Sequence, residues 1–208
     1  MTVADGASFT VRPARPEEDA AIASLVVEGF LDKFHPTFGR KMDRSIRIME
    51  DWVRLERTCA GACSLVIDSG TEIAATLGIR EHGADDLALS RELWRSLRRH
   101  LGLLYAWRAA LLLSYPRHEI RPSEAYVERL VVAPAYRRSG MARTLLRAAQ
   151  DWGRENGKDT LGLQVSGNNF PALRLYESLG FRETSRQRSL ITGVALGIRE
   201  WLYLEKPV

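Results

Sequence analysis

Lysine is nearly absent from this chain. Only four of its 30 basic residues are lysine, so almost all the positive charge is guanidinium, which binds phosphate and carboxylate in bidentate fashion. Cysteine is scarcer still. Cys59 and Cys63 stand alone, and His35, His82, His100 and His118 show no ligand spacing around them, which excludes a disulfide framework and leaves no metal site to assign. The two thiols read as unpaired groups in a reducing compartment. Long apolar runs are missing too: the most apolar stretch, Leu101 to Tyr115, is interrupted by Arg108 and falls short of the roughly 20 residues a membrane span needs. Met1 to Thr10 shows no basic region followed by an apolar run, so no signal peptide is read and a cytoplasmic location is expected.

Repeats, low-complexity tracts and Ser/Gly linkers are also lacking, so residues 1–208 read as a single domain. With 45% hydrophobic and 27% charged residues, a chain of this length can bury a core without cross-links; disorder and coiled coil are excluded. The charge sum, 30 − 26 = +4, suits an anionic ligand. No aromatic residues interleave the arginines in the manner of a nucleic-acid module, so nucleic acid is not an expected partner.

The pattern alternates strands and helices. Phe9 to Arg12 reads as a strand, and Pro16 to Asp19 opens a helix whose stripe is Ile22, Leu25, Val26 and Phe30. Phe30 to Gly39 reads as a loop on the substrate side, with Phe34 and His35 as acceptor contacts or as ordinary loop packing. Asp43 to Arg57 is a second helix, followed by a strand hairpin over Ser64–Ile79. Residues 82–123 form an arginine-rich helical insertion. Next come a strand over Ala125–Val132, a helix over Gly140–Asn156, a strand over Thr160–Val165 and a helix from Phe170 stopped by Gly180. Phe181 to Ile191 and Glu200 to Glu205 close the chain as strands. The fold class is α/β (α+β), built on a mixed sheet flanked by helices.

Two segments carry chemistry. In the first, the strand ending Leu130-Val131-Val132 runs through Pro134 into Arg137-Arg138-Ser139-Gly140-Met141-Ala142-Arg143 at a helix start. Unpaired amides at that start, with arginines around them, make a phosphate site. Gly140 lets the main chain approach a pyrophosphate closely. In the second, a strand leads to Asn168-Asn169, and a helix bearing Ala172 and Tyr176 ends at Gly180-Phe181.

Together these segments resemble the GNAT superfamily of N-acetyltransferases, closely from about Ala125 to Arg182 and only by element order before residue 80. Arg137-x-x-Gly140-x-Ala142 matches the pyrophosphate-binding pattern, and Asn169-x-x-Ala172 with Leu175-Tyr176-Glu177 matches the second segment. The resemblance implies a mostly antiparallel sheet with one splayed strand pair. It also implies acetyl-coenzyme A as cofactor, coenzyme A as product, and a small-molecule or peptide amine as acceptor. Backbone groups of Leu130 and Val132 would meet the pantetheine arm, the amides of Arg138 to Arg143 the pyrophosphate, Asn169 the coenzyme, and Tyr176 the sulfur.

An ammonium acceptor must lose a proton before it attacks. Glu128 lies two residues before Leu130, and strict alternation puts it on the same side as Leu130 and Val132. It is the first candidate base; Glu124 is the alternative, and a structural pair with an arginine is the plain reading. A backbone N–H at Val131 or Val132 would face the oxyanion. In the insertion, Leu93, Leu97, Leu101, Leu104, Leu111 and Leu112 recur at helical spacing as a face to be buried. A wall of the acceptor pocket is the expected role; a homodimer interface and a lipid surface are the alternatives. Gly140→Asp is expected to abolish coenzyme A binding in calorimetric titration with an unchanged circular dichroism spectrum, because the carboxylate and added bulk would meet the pyrophosphate.

Overall fold

The computed structural model describes residues 9–83 and 86–208. Residues 1–8, read as free of a signal sequence, and residues 84–85 of the insertion lie outside the described residues. The strands are β1 (Val11–Pro13), β2 (Ala62–Asp68), β3 (Ile73–Glu81), β4 (Glu124–Val132), β5 (Thr160–Ser166), β6 (Arg182–Arg188) and β7 (Glu200–Pro207). They form one sheet in the order β1-β2-β3-β4-β5-β7-β6, antiparallel throughout except where β4 runs parallel to β5. The helices are α1 (Asp19–Gly29), α2 (Leu31–Phe38), α3 (Met42–Thr58), α4 (Asp86–Leu101), α5 (Leu103–Leu113), α6 (Met141–Glu155), α7 (Phe170–Ser178) and α8 (Leu190–Leu196).

The sheet separates two apolar layers. On one face, Leu145, Leu146 and Ala149 of α6 and Tyr176 of α7 pack on Leu77, Val127, Leu161 and Leu163. On the other, Ile22 and Val26 of α1, Ile48 and Val53 of α3 and Leu97 of α4 pack on Val66 and Val131. Burial of each such leucine or isoleucine contributes about 1.5–3 kcal/mol. The parallel pair follows from α6, which carries the chain back across one face between β4 and β5.

The structure corrects the sequence reading in three elements. Phe30 to Gly39 is helix rather than loop over α2, despite Pro36, because Phe34 and Phe38 stack at 5.6 Å and are both buried. Tertiary burial overrides the proline signal. The strand expected over Phe181–Ile191 stops at Arg188. Ser189 then accepts a bond from Thr192 N–H at 3.1 Å and starts α8, which Gly197 ends at φ +72°. The insertion is two helices broken at Gly102, φ +77°. That break turns Leu104 and Leu111 outward, whereas Leu97, Leu101 and Leu112 are buried as expected.

Beside β4, on the face away from α6, Glu124 is enclosed. It accepts bonds from the Tyr203 hydroxyl at 2.7 Å and the Arg121 amide at 3.1 Å, and its Oε1 lies 2.8 Å from His118 Nε2. The His118 ring stacks between Tyr126 and Tyr203. Gly162 makes room for this cluster: a Cβ there would collide with Glu124 Oε1 and the Tyr203 hydroxyl. Gly162→Ala is therefore expected to destabilise the fold by about 1–3 kcal/mol in urea unfolding, the usual cost of overpacking a fixed interior.

Candidate active site

Strands β4 and β5 are neighbours for only part of their length. Their pairing runs from Glu124–Thr160 to Val127–Leu163, after which β4 continues with β3 alone and β5 with β7 alone. A slit opens between them. The Ala133 amide bonds to Ala74 O at 2.8 Å, so alternation assigns Val131–Thr76 and Arg129–Gly78 as bonded pairs. The N–H and C=O groups of Leu130 and Val132 then face the slit. Val131, a sequence candidate for the oxyanion amide, belongs to the β3 ladder instead. Arg137 Nε donates to Val132 O at 3.4 Å from the following loop.

That loop is exposed from Arg137 to Gly140 and holds two residues at positive φ, Arg138 at +64° and Gly140 at +92°. Ser139 Oγ closes the turn onto Tyr136 O at 2.6 Å. The first bond entering α6 is Thr144 N–H to Gly140 O, at 3.0 Å, so the amides of Met141, Ala142 and Arg143 precede the helical ladder. A Cβ at Gly140 would meet nothing within 4 Å, so the space above the turn is open. Arg143 donates to Ser178 at 3.0 Å, tying α6 to α7. This cradle fits a pyrophosphate.

Asn169 caps α7, its Oδ1 accepting from Ala172 N–H at 3.3 Å. Two turns on, Tyr176 is 8% exposed and packs edge-on to Phe181. Burial pushes its pKa up to about 12, which keeps the phenol protonated at neutral pH.

Glu128 sits on the opposite face from the one that alternation predicts. It is an extra residue in β4: Ile79 pairs with Val127, Gly78 with Arg129, and nothing on β3 faces Glu128. The bulge resets the alternation, so Glu128 and Arg129 both turn toward α3 while Leu130 and Val132 pack on the α6 side. Glu128 pairs with Arg80 at 2.8 Å and hydrogen-bonds to Glu56, which in turn pairs with Arg129. Gly78 leaves room for that guanidinium: a Cβ there would stand 2.5 Å from Arg129 Nη1. Burial, then the neighbouring Glu56, raise the Glu128 pKa to about 8, with Arg80 and Arg129 opposing. On the same face Lys33 donates to Tyr115 O at 3.1 Å and lies 5.7 Å from the centre of the Trp201 ring. Burial lowers its pKa to about 8, against the pull of Asp32 and Glu128.

The other candidates fall elsewhere. Glu124 is fully enclosed, and although burial works to raise its pKa, its bonds from His118, Tyr203 and the Arg121 amide hold it lower. Phe34 is a core residue, and His35 is exposed on α2. Sequence reading missed Glu56 and Arg80, which meet Glu128 from distant segments, and Lys33, which feels its charge; no local signal marks them.

A cradle at a helix start, an open strand edge and a split parallel pair define an α/β fold with a phosphate-binding cleft. The acetyltransferase (GNAT) family pattern matches residues 26–181, and the chain belongs to that family. It is 36% identical over 81 residues to streptothricin acetyltransferase of Streptomyces lavendulae, covering 39% of this chain and 43% of that protein. It is 41% identical over 66 residues to the [ribosomal protein bS18]-alanine N-acetyltransferase of Escherichia coli (strain K12), covering 32% of this chain and 45% of the relative. The chain thus aligns with under half the length of either. The fold is shared with a crystal structure of an acetyltransferase (TM-score 0.67, 22% identity, 96% of this chain and 99% of that one). It is also shared with PaiA N-acetyltransferase from Thermoplasma acidophilum in complex with coenzyme A (TM-score 0.61, 13% identity, 97% and 99%).

The Glu128 shift has a consequence for stability. A carboxyl whose folded pKa is raised keeps its proton where the unfolded chain has lost it. Its contribution is full below the ordinary carboxylate pKa and is lost as pH rises toward the folded value. The melting temperature is expected to fall between about pH 5 and 8, and Glu128→Gln to flatten that fall in a calorimetric pH series.

Proposed function

We propose that the protein transfers an acetyl group from acetyl-coenzyme A to a primary amine of a small molecule or peptide, by direct attack in a ternary complex. One observation carries this reading: β4 and β5 part after Val127, with Tyr176 and the amide cradle on one side of the sheet and Glu128 on the other. Cofactor and acceptor can approach the slit from opposite sides and meet within it.

Acetyl-coenzyme A supplies the activated acetyl group. The amides of Arg138 to Arg143 hold its pyrophosphate, Arg137, Arg138 and Arg143 add positive charge, and Asn169 and Ala172 border the path. The open main-chain groups of Leu130 and Val132 hold the pantetheine arm, and the Val132 N–H faces the carbonyl oxygen. Glu128 removes the acceptor's proton, and a pKa near the working pH suits a base. Tyr176 stays protonated and gives its proton, or a hydrogen bond, to the departing sulfur; coenzyme A is the product. On the Glu128 face, Lys33 of α2 lies beside Trp201 of β7.

Release of coenzyme A over a panel of amines tests the reading, and binding without release would make the protein an acyl-coenzyme A-binding module instead. Tyr176→Phe is expected to lower kcat about 10–100-fold while coenzyme affinity from calorimetry stays within about twofold. Wild-type kcat/KM is expected to rise as pH passes about 8, and Glu128→Gln to remove that limb. Unaltered turnover in both variants would strike out both roles.

A further inference from the structure

Helices α5 and α8 lie against one another and bury one side each, through Ala106, Ala109 and Leu112 of α5 and Leu196 of α8. Their other sides are apolar and uncovered. Leu104 is 81% exposed, Trp107 64%, Leu190 89% and Val194 91%, with Leu103 and Leu111 beside them. Isolated exposed leucines are ordinary, but Leu103, Leu104, Trp107 and Leu111 at helical spacing on α5, beside Leu190 and Val194 on the neighbouring α8, are the kind of grouping that marks a contact surface. Neither helix is long or apolar enough to cross a bilayer, so any lipid contact would lie along the surface.

The charge around this face identifies what covers it. From Arg98 to His118 the chain has Arg98, Arg99, Arg108 and Arg117 and no carboxylate. From Thr184 to Arg199 it has Arg186, Arg188 and Arg199, again with no carboxylate, although Arg186 and Arg188 are paired to Glu200. Arg108 donates only to the carbonyls of Pro36 and Thr37, and Lys41 lies over the Tyr105 ring at 4.1 Å while donating to Leu101 O. Arg108 and Lys41 thus meet carbonyls and a ring rather than carboxylates, whereas Arg186 and Arg188 are compensated by Glu183 and Glu200. A second copy docked about a two-fold axis would set this basic rim against itself. An anionic bilayer would accept the leucines and Trp107 among its acyl chains and place the arginines at its headgroups.

We propose that the α5–α8 face docks the protein onto an anionic lipid surface. The α6 cradle is on the other face of the sheet, so docking leaves the coenzyme loop open to solvent. The probe is a set of vesicles in a sedimentation assay. The wild-type protein is expected to pellet with phosphatidylcholine vesicles containing about one-third phosphatidylglycerol, to stay in the supernatant with phosphatidylcholine alone, and to be released by about 0.5 M salt. Leu104→Glu combined with Val194→Glu should weaken partition at least about tenfold. Both side chains lie outside the core, and unchanged coenzyme A affinity in calorimetry verifies that the variant is folded. A wild-type protein that stays in the supernatant with the anionic vesicles overturns the proposal. So does a dimer, seen by sedimentation velocity, that the same two substitutions dissociate without altering vesicle partition.

Discussion

One additional residue in β4 governs the middle of this molecule. Because Glu128 has no partner on β3, the strand bends, and the pairing between β4 and β5 ends at Val127. From there on, Leu130 and Val132 have main-chain groups with no neighbouring strand on one side, in a sheet whose interior would otherwise satisfy them. The same insertion swings Arg129 into the apolar layer against Glu56, over the space that Gly78 leaves. Slit, open edge and buried ion pair are three consequences of one irregularity.

Glu124 and Glu128 show how surroundings decide the chemistry of a side chain. They lie four residues apart on one strand, and desolvation acts on both to raise the pKa. Around Glu124 a histidine, a tyrosine hydroxyl and a backbone amide all stabilise the anion, and its pKa is lowered. Glu128 faces a second carboxylate, Glu56, and two arginines do not offset burial and repulsion. One is a locked structural anion. The other is held toward its protonated form by burial and by Glu56.

The sheet also separates roles. Everything that suits a phosphate-bearing cofactor is local in sequence: the loop before α6, and the Asn169 cap and Tyr176 at the two ends of α7. The opposite face is assembled from α2, α3, the insertion and α8, which are remote from one another along the chain. Its apolar outer side belongs to α5 and α8, whereas the arginines near it come from α4, α5, β6 and the connecting loops.

The sequence by itself determined the turns and helix starts of the second half of the chain. A proline after a buried strand, a glycine at a left-handed turn and a capping asparagine act through main-chain geometry within a few residues, and each is found where the spacing places it. Order and type of most elements were legible for the same reason, since period-two and helical patterns are local. Tertiary structure decided the rest. A bulge shifts alternation without altering composition, so the face of Glu128 could not be read from its neighbours. Stacking of Phe34 on Phe38 accompanies a helix where residues 30–39 read as a loop, and Gly102 turned Leu104 outward against its periodicity. Glu56, Arg80 and Lys33 gather around Glu128 only when the layers pack, because electrostatic environment depends on distance in space rather than along the chain.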